Sequence, residues 1–167
     1  MRGRFEYVES QGGPTVIVDY AHKPDALEKL LHAVRDLARN KRVVVLFGCG
    51  GDRDKEKRPK MGAIATKLAD LTIITSDNPR SERPETIMDE IERGAKNGGD
   101  KYLRIADRRE AIARAIDEAS DDDVIVIAGK GHESYQVIGD QVVHFDDREE
   151  AEIALKKRNE KAVPKSV

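Results

Sequence analysis

The chain has one cysteine, Cys49, no excess of charge of either sign and no long hydrophobic run. A lone cysteine excludes an internal disulfide framework, and a buried packing role is expected for it. Thirty basic against 32 acidic residues, a net charge of -2, leave no global field to draw in nucleic acid. The longest apolar runs, such as Val43–Phe47 and Val124–Ala128, fall far short of the ~20 residues that a membrane helix needs. The start, Met1-Arg2-Gly3-Arg4-Phe5, has no apolar signal-peptide core. A cytoplasmic location is therefore expected, with neither membrane nor nucleic acid as a partner. Nucleotide fingerprints are missing too: the glycines after Phe47 lack dinucleotide-motif spacing, and no Lys-Thr or Lys-Ser pair closes them into a phosphate loop. What is present is 167 residues, 38% hydrophobic, enough for one well-buried core and not two.

Strand and helix signals alternate along the chain. Thr15–Asp19 is β-branched, and Pro24 then opens a helical stripe of Leu27, Leu30, Leu31, Val34 and Leu37. Val43–Phe47 is a second strand, followed by a helix marked by Met61, Ile64, Ala65 and Leu68. Leu71–Thr75 leads to a third helix at Ile87, Met88 and Ile91, which Gly94 to Gly99 are expected to close. A short strand at Tyr102–Ile105, a stripe from Ala111 to Ala119 and the apolar Val124–Ala128 come next. Gly139-Asp140 between Tyr135–Ile138 and Gln141–Phe145 signals a hairpin, and Glu149–Arg158 a charged helix. Strands separated by helices imply right-handed crossovers. The expected fold is α/β: a three-layer, Rossmann-like domain over residues 1–160, its sheet mostly parallel, with about six strands and an antiparallel edge hairpin. Residues 161–167 are expected to form a frayed, disordered tail.

Polar clusters follow three apolar runs: Gly48–Asp54, Asp77-Asn78-Pro79-Arg80 and Gly129-Lys130-Gly131-His132-Glu133. In an open α/β sheet the strand carboxyl ends share one ligand-binding rim. A rim holding Arg53 and Arg80 beside Asp77 and Glu133 suits a ligand that carries ammonium and carboxylate together, as an amino acid does. Pro79 stiffens its turn and pushes Asn78 extended. Arg80 offers a planar fork to a carboxylate, Asp77 can accept from an ammonium, and Asn78 can do either. Each cluster also has a plainer reading. Asp77–Arg80 is also an ordinary turn, Lys55, Lys57, Arg58 and Lys60 an exposed basic stretch, and Gly129–Glu133 a flexible bend. His132 beside Glu133 lacks further ligands at metal spacing, so no metal site is assigned. At the first strand end, His22 or Lys23 could meet phosphate oxygens and Asp19 lie near Mg²⁺, or Asp19 could cap a helix.

Taken in order and spacing, Gly3-Arg4-Phe5-Glu6, Val18–Leu27, Phe47–Asp54 with Lys57-Arg58-Pro59, Ser76–Arg80 and Ala128–Glu133 resemble the C-terminal domain of the Mur ligases over residues 2 to 158. The resemblance is to the diaminopimelate-adding branch of that family. It implies that Asp77, Asn78, Pro79 and Arg80 recognise meso-diaminopimelate, with Arg53, Gly129 and Glu133 as further contacts. It also implies that Arg4, Asp19 and His22 face ATP, with Mg²⁺ and ATP bound mainly by a central domain absent from these residues. Lysine-adding members lack an arginine at this turn, so Arg80 argues for diaminopimelate over a lysine-adding or cyanophycin-type ligase. An amino-acid-binding module without catalysis is the alternative from another class.

The family's phosphate loop and its nucleotide-sugar domain are not found in the chain. On this resemblance the sequence is an excised domain of a larger, monomeric, three-domain enzyme, inactive alone and without catalytic residues of its own. The second substrate of that enzyme would be UDP-N-acetylmuramoyl-L-alanyl-D-glutamate, activated as an acyl phosphate.

Overall fold

The computed structural model describes residues 1–162. Its elements run β1 (Glu6–Tyr7), β2 (Thr15–Asp19), α1 (Pro24–Ala38), β3 (Val43–Phe47), α2 (Lys57–Leu68), β4 (Leu71–Ile74), α3 (Pro84–Gly98), β5 (Tyr102–Arg104), α4 (Arg108–Asp117), β6 (Val124–Ala128), β7 (Tyr135–Ile138), β8 (Gln141–His144) and α5 (Asp147–Ala162). Six strands form one sheet in the order β1-β2-β6-β3-β4-β5. Every pairing in it is parallel except β1 with β2.

The apolar strands β3 and β6 are buried on both faces, which is why they read as unbroken hydrophobic runs. Their side chains sort by parity. Val43, Val45 and Phe47 of β3 join Val124, Val126 and Ala128 of β6 in a core with α1, α2 and α3. Val44, Leu46, Ile125 and Ile127 point the other way, into a core with α4 and α5. The result is three layers, helices on both faces of the sheet, as expected.

Pro24 and Pro84 start α1 and α3, where a missing N–H costs nothing. The glycines from 94 to 99 close α3 as expected, but at the far end of that stretch: the helix runs to Gly98 with Gly99 at its C-cap, and Gly94 lies inside it. The reason is packing. A Cβ at Gly94 would stand 1.6 Å from the Pro59 carbonyl oxygen, and one at Gly62 would stand 2.1 Å from that of Ile91. These two glycines let the backbones of α2 and α3 touch.

Three further details differ from the sequence reading. β1, too short to show a pattern, supplies the antiparallel edge of the main sheet. The β7–β8 hairpin forms as expected but as its own two-stranded sheet, joined to the Asp77–Arg80 turn by a β-bridge between Arg80 and Ile138. α5 runs through Ala162, past the expected boundary, and Lys161 Nζ reaches Asp117 Oδ1 at 3.0 Å. The rest of the expected tail lies outside the described residues. Cys49 is buried at the end of β3, with its Sγ 3.8 Å from Met61 Sδ, and burial pushes its thiol pKa up to about 12.

Candidate functional site

The carboxyl ends of β2, β6, β3 and β4 lie side by side, and the chain changes face after β5, when α4 packs opposite α1, α2 and α3. Ligands favour the crevice at such a switch point. A cleft of about 880 Å³ opens there. Arg53, Asp77, Asn78, Arg80, Gly129 and Glu133 line one part of it, and His22 with the start of α1 lines the other.

The Asp77–Arg80 turn is stitched to the glycine loop before it. Gly51 N donates to Asn78 O at 2.7 Å, and Arg80 Nη1 donates back to Gly51 O at 2.9 Å. Ser81 Oγ donates to Asp52 Oδ1 at 2.6 Å, and Asp52 N donates to Glu82 Oε1 at 2.8 Å. Gly51 is required by this approach, because a Cβ there would lie 1.8 Å from the Pro79 carbonyl oxygen. Arg80 itself takes φ 53°, a left-handed conformation that costs a side-chain-bearing residue about 1–2 kcal/mol. Backbone bonds on both sides hold it there: Arg80 N to Val137 O at 3.0 Å, and Gly139 N to Arg80 O at 2.8 Å. Among the described residues the other guanidinium N–H groups have no hydrogen-bond partner, and Arg53 stands beside them across Gly50.

Three buried cations, to which the sequence reading gave no role, fix this rim from behind. Arg58 is not part of an exposed basic stretch: its side chain is fully buried, paired with Glu82 and Glu90, and its Nη2 donates to Gly50 O at 2.9 Å. Arg108 makes a bidentate pair with Asp147 at 2.8 and 2.7 Å, and donates to the carbonyls of Ser76 at 2.9 Å and Ala128 at 3.2 Å. Those carbonyls belong to the residues just before Asp77 and Gly129. Lys130 Nζ donates to Asn78 Oδ1 at 3.0 Å and lies 3.6 Å from Asp77 Oδ1. A signal for the two arginines was available. Arg58 shares the buried phase of Met61, Gly62 and Ala65, and Arg108 that of Ala111, Ile112, Ala115 and Ile116.

The hydrogen bonds from Arg58 and from Asp52 N hold the Glu82 carboxyl down at about 2, against an ordinary value of 4.5. A carboxyl lowered in the folded state contributes stability that is complete above about pH 4.5 and disappears as pH falls through about 2. The wild type should therefore exceed Glu82→Gln in urea-unfolding stability at pH 6, with the gap closing toward pH 2. A gap independent of pH would contradict this assignment. Nearby, the Glu133 carboxylate pushes the Tyr135 phenol above its ordinary range.

The expected ATP-facing residues separate. His22 lines the cleft, and its Nδ1 lies 2.9 Å from the Tyr20 carbonyl oxygen, which leaves Nε2 as an acceptor in the neutral ring. Lys57 Nζ donates to the His22 carbonyl at 2.8 Å, tying the two walls together. Arg4 is exposed and outside the lining. Asp19 is also outside it, its two oxygens accepting from Phe5 N and Ala21 N, both at 2.8 Å. It caps no helix, since Lys23 holds the N-cap position of α1. Pro79 is buried behind the turn. Among the described residues no group of three or more His, Cys, Asp or Glu side chains could hold a metal ion, and no helix is long and apolar enough to cross a membrane.

The family profile described as Mur ligase, glutamate ligase domain, matches residues 3–131. UDP-N-acetylmuramoyl-L-alanyl-D-glutamate--2,6-diaminopimelate ligase of Halalkalibacterium halodurans is 57% identical over 156 residues, which is 93% of this chain and 32% of that protein. The ligase of the same name from Clostridioides difficile is 54% identical, again over 93% of this chain and 32% of its own length. A solved structure of an enzyme with that name superposes with a TM-score of 0.87 at 41% identity, covering 95% of this chain and 32% of the other. Escherichia coli FolC in complex with ADP shares the fold alone, at 20% identity and a TM-score of 0.59, over 98% of this chain and 33% of that chain. The chain thus spans about a third of the length of the relatives it matches. With most of its length inside the family profile and its fold superposed on that of a named member, the chain belongs to the Mur ligase family.

Proposed function

We propose that this chain is the domain that receives the incoming amino acid in an ATP-dependent ligase joining meso-diaminopimelate to UDP-N-acetylmuramoyl-L-alanyl-D-glutamate in peptidoglycan synthesis. The observation that carries this reading is the convergence of Arg53 and Arg80 with Asp77 and Glu133 on one cleft. A molecule with two ammonium and two carboxylate groups finds an opposite charge for each. The relatives named for diaminopimelate addition support the same choice.

In the reaction, an amine of diaminopimelate attacks the acyl carbon of the phosphorylated D-glutamate. The C–N bond forms, the bond from carbon to the phosphate oxygen breaks, phosphate leaves with the electron pair, and the amine loses a proton. This domain's part is to bind and aim the nucleophile, which replaces a bimolecular encounter with a local one. ATP and Mg²⁺ belong mainly to the remaining two thirds of such an enzyme; the described residues do not fit a metal, and no step here runs through one. Arg4 and His22 would face the nucleotide on closure. Asp19 supports them indirectly, by holding Phe5 next to Arg4 and Ala21 next to His22. The reading carries a cytoplasmic location with it.

Isothermal titration of the chain tests the reading. Meso-diaminopimelate should bind weakly, because the rest of a closed site is missing, and lysine at least about tenfold more weakly, since it leaves an arginine fork unpaired. Equal affinities would overturn the proposal.

A further inference from the structure

Lys130 stands behind the recognition turn. It follows β6 between Gly129 (φ 118°) and Gly131 (φ 56°), a backbone path that glycine takes without strain. Its side chain is fully buried, so it cannot touch a ligand in the cleft. Burial lowers its pKa, the Asp77 carboxylate opposes that shift, and Arg108 adds to it.

What Lys130 does touch is the Asn78 carboxamide. Its Nζ donates to Oδ1 at 3.0 Å, and the backbone N–H of Val137 donates to the same oxygen at 3.0 Å. Both neighbours are obligate donors, so only the amide oxygen satisfies them, and its two lone pairs are now engaged. The NH₂ group is what remains for a ligand.

We propose that Lys130 is a positioning residue for substrate selection: it locks Asn78 with its NH₂ as the only group offered to the cleft. The inference rests on the function proposed above and deepens it. Asn78 could otherwise serve an ammonium or a carboxylate. Locked, it joins Arg53 and Arg80 as a donor only, and that wall accepts a carboxylate and repels an ammonium. Discrimination of this kind comes from the repulsive element as much as from the attractive one.

The test uses the full-length ligase, assayed first as wild type with meso-diaminopimelate. No product at that stage overturns the functional reading itself. With an active wild type, Lys130→Met should raise KM for meso-diaminopimelate by about 10- to 100-fold, the effect of losing a buried hydrogen bond to a charged group. KM for ATP should stay within about twofold. Adding Asn78→Leu to Lys130→Met should cost little more, because residues acting as one unit are not additive. An unchanged KM for diaminopimelate, an equal rise in every KM, or full additivity overturns the role of Lys130. Should Lys130→Met not fold, the wild-type ligase labelled with ¹⁵N-asparagine answers the question. The Asn78 side-chain NH₂ signals should shift with meso-diaminopimelate and not with lysine, and no shift with diaminopimelate overturns the proposal.

Discussion

In the full-length enzyme proposed above, Arg80→Ala should lower kcat/KM for meso-diaminopimelate by about 10³- to 10⁴-fold, while any turnover of lysine changes little. Sites built around a polar partner reject the analogue that lacks it by ~10⁴ or more, because buried groups are then left unpaired. Arg80 fits that description: its backbone is bonded on both sides, its Nη1 is anchored to Gly51 O, and the rest of its fork faces the cleft. Fold stability should hardly follow activity. Arg80→Gly relieves the left-handed strain at φ 53° and should be about 1 kcal/mol more stable than Arg80→Ala, yet equally poor with diaminopimelate. Steady-state kinetics with both amino acids, beside urea unfolding of both variants, separates the two effects. Equal losses with lysine and diaminopimelate would show that Arg80 only holds the loop.

Arg108→Met should carry the largest stability loss, about 3–5 kcal/mol, the cost of leaving a buried charge without its partner. Its pair with Asp147 is fully buried, and the same guanidinium serves the carbonyls of Ser76 and Ala128. For a domain of this size that loss lowers Tm by roughly 10 °C. The double variant Arg108→Met with Asp147→Leu should recover part of it, since two apolar groups can replace an ion pair at little cost. Thermal and urea unfolding of the chain measure both. A single-variant loss below about 1 kcal/mol would mean that solvent reaches this pair.

The layers and most elements of the fold were legible because apolar periodicity survives in the sequence. β3 and β6 announce themselves by unbroken burial, and α1 by its stripe from Leu27 to Val34. β1 was not legible, because its two residues are set by pairing with β2 and not by any local preference. Gly94 to Gly99 announced the end of α3, which comes at Gly98 and Gly99, but the packing of Gly94 against Pro59 was hidden for a related reason, since it is set by contact with α2 and not by local chemistry. In the site, charge pattern alone pointed to Arg53, Asp77, Arg80 and Glu133, and they share one cleft. The buried supports behind them were harder to see, because a charge is read as solvated by default. Arg58, Arg108 and Asp147 each occupy the apolar phase of a helix, and that phase outweighs the charge.

The buried thiol described with the fold has a practical corollary. Burial pushes the Cys49 thiol up to about 12, well above neutral pH, and the thiolate is the reactive form. Alkylating reagents and mild oxidants should therefore pass it by. A probe cysteine placed at exposed Val142, on the hairpin that bridges to Arg80, can be labelled selectively with the native residue left in place, giving an optical report on the rim as amino acid binds.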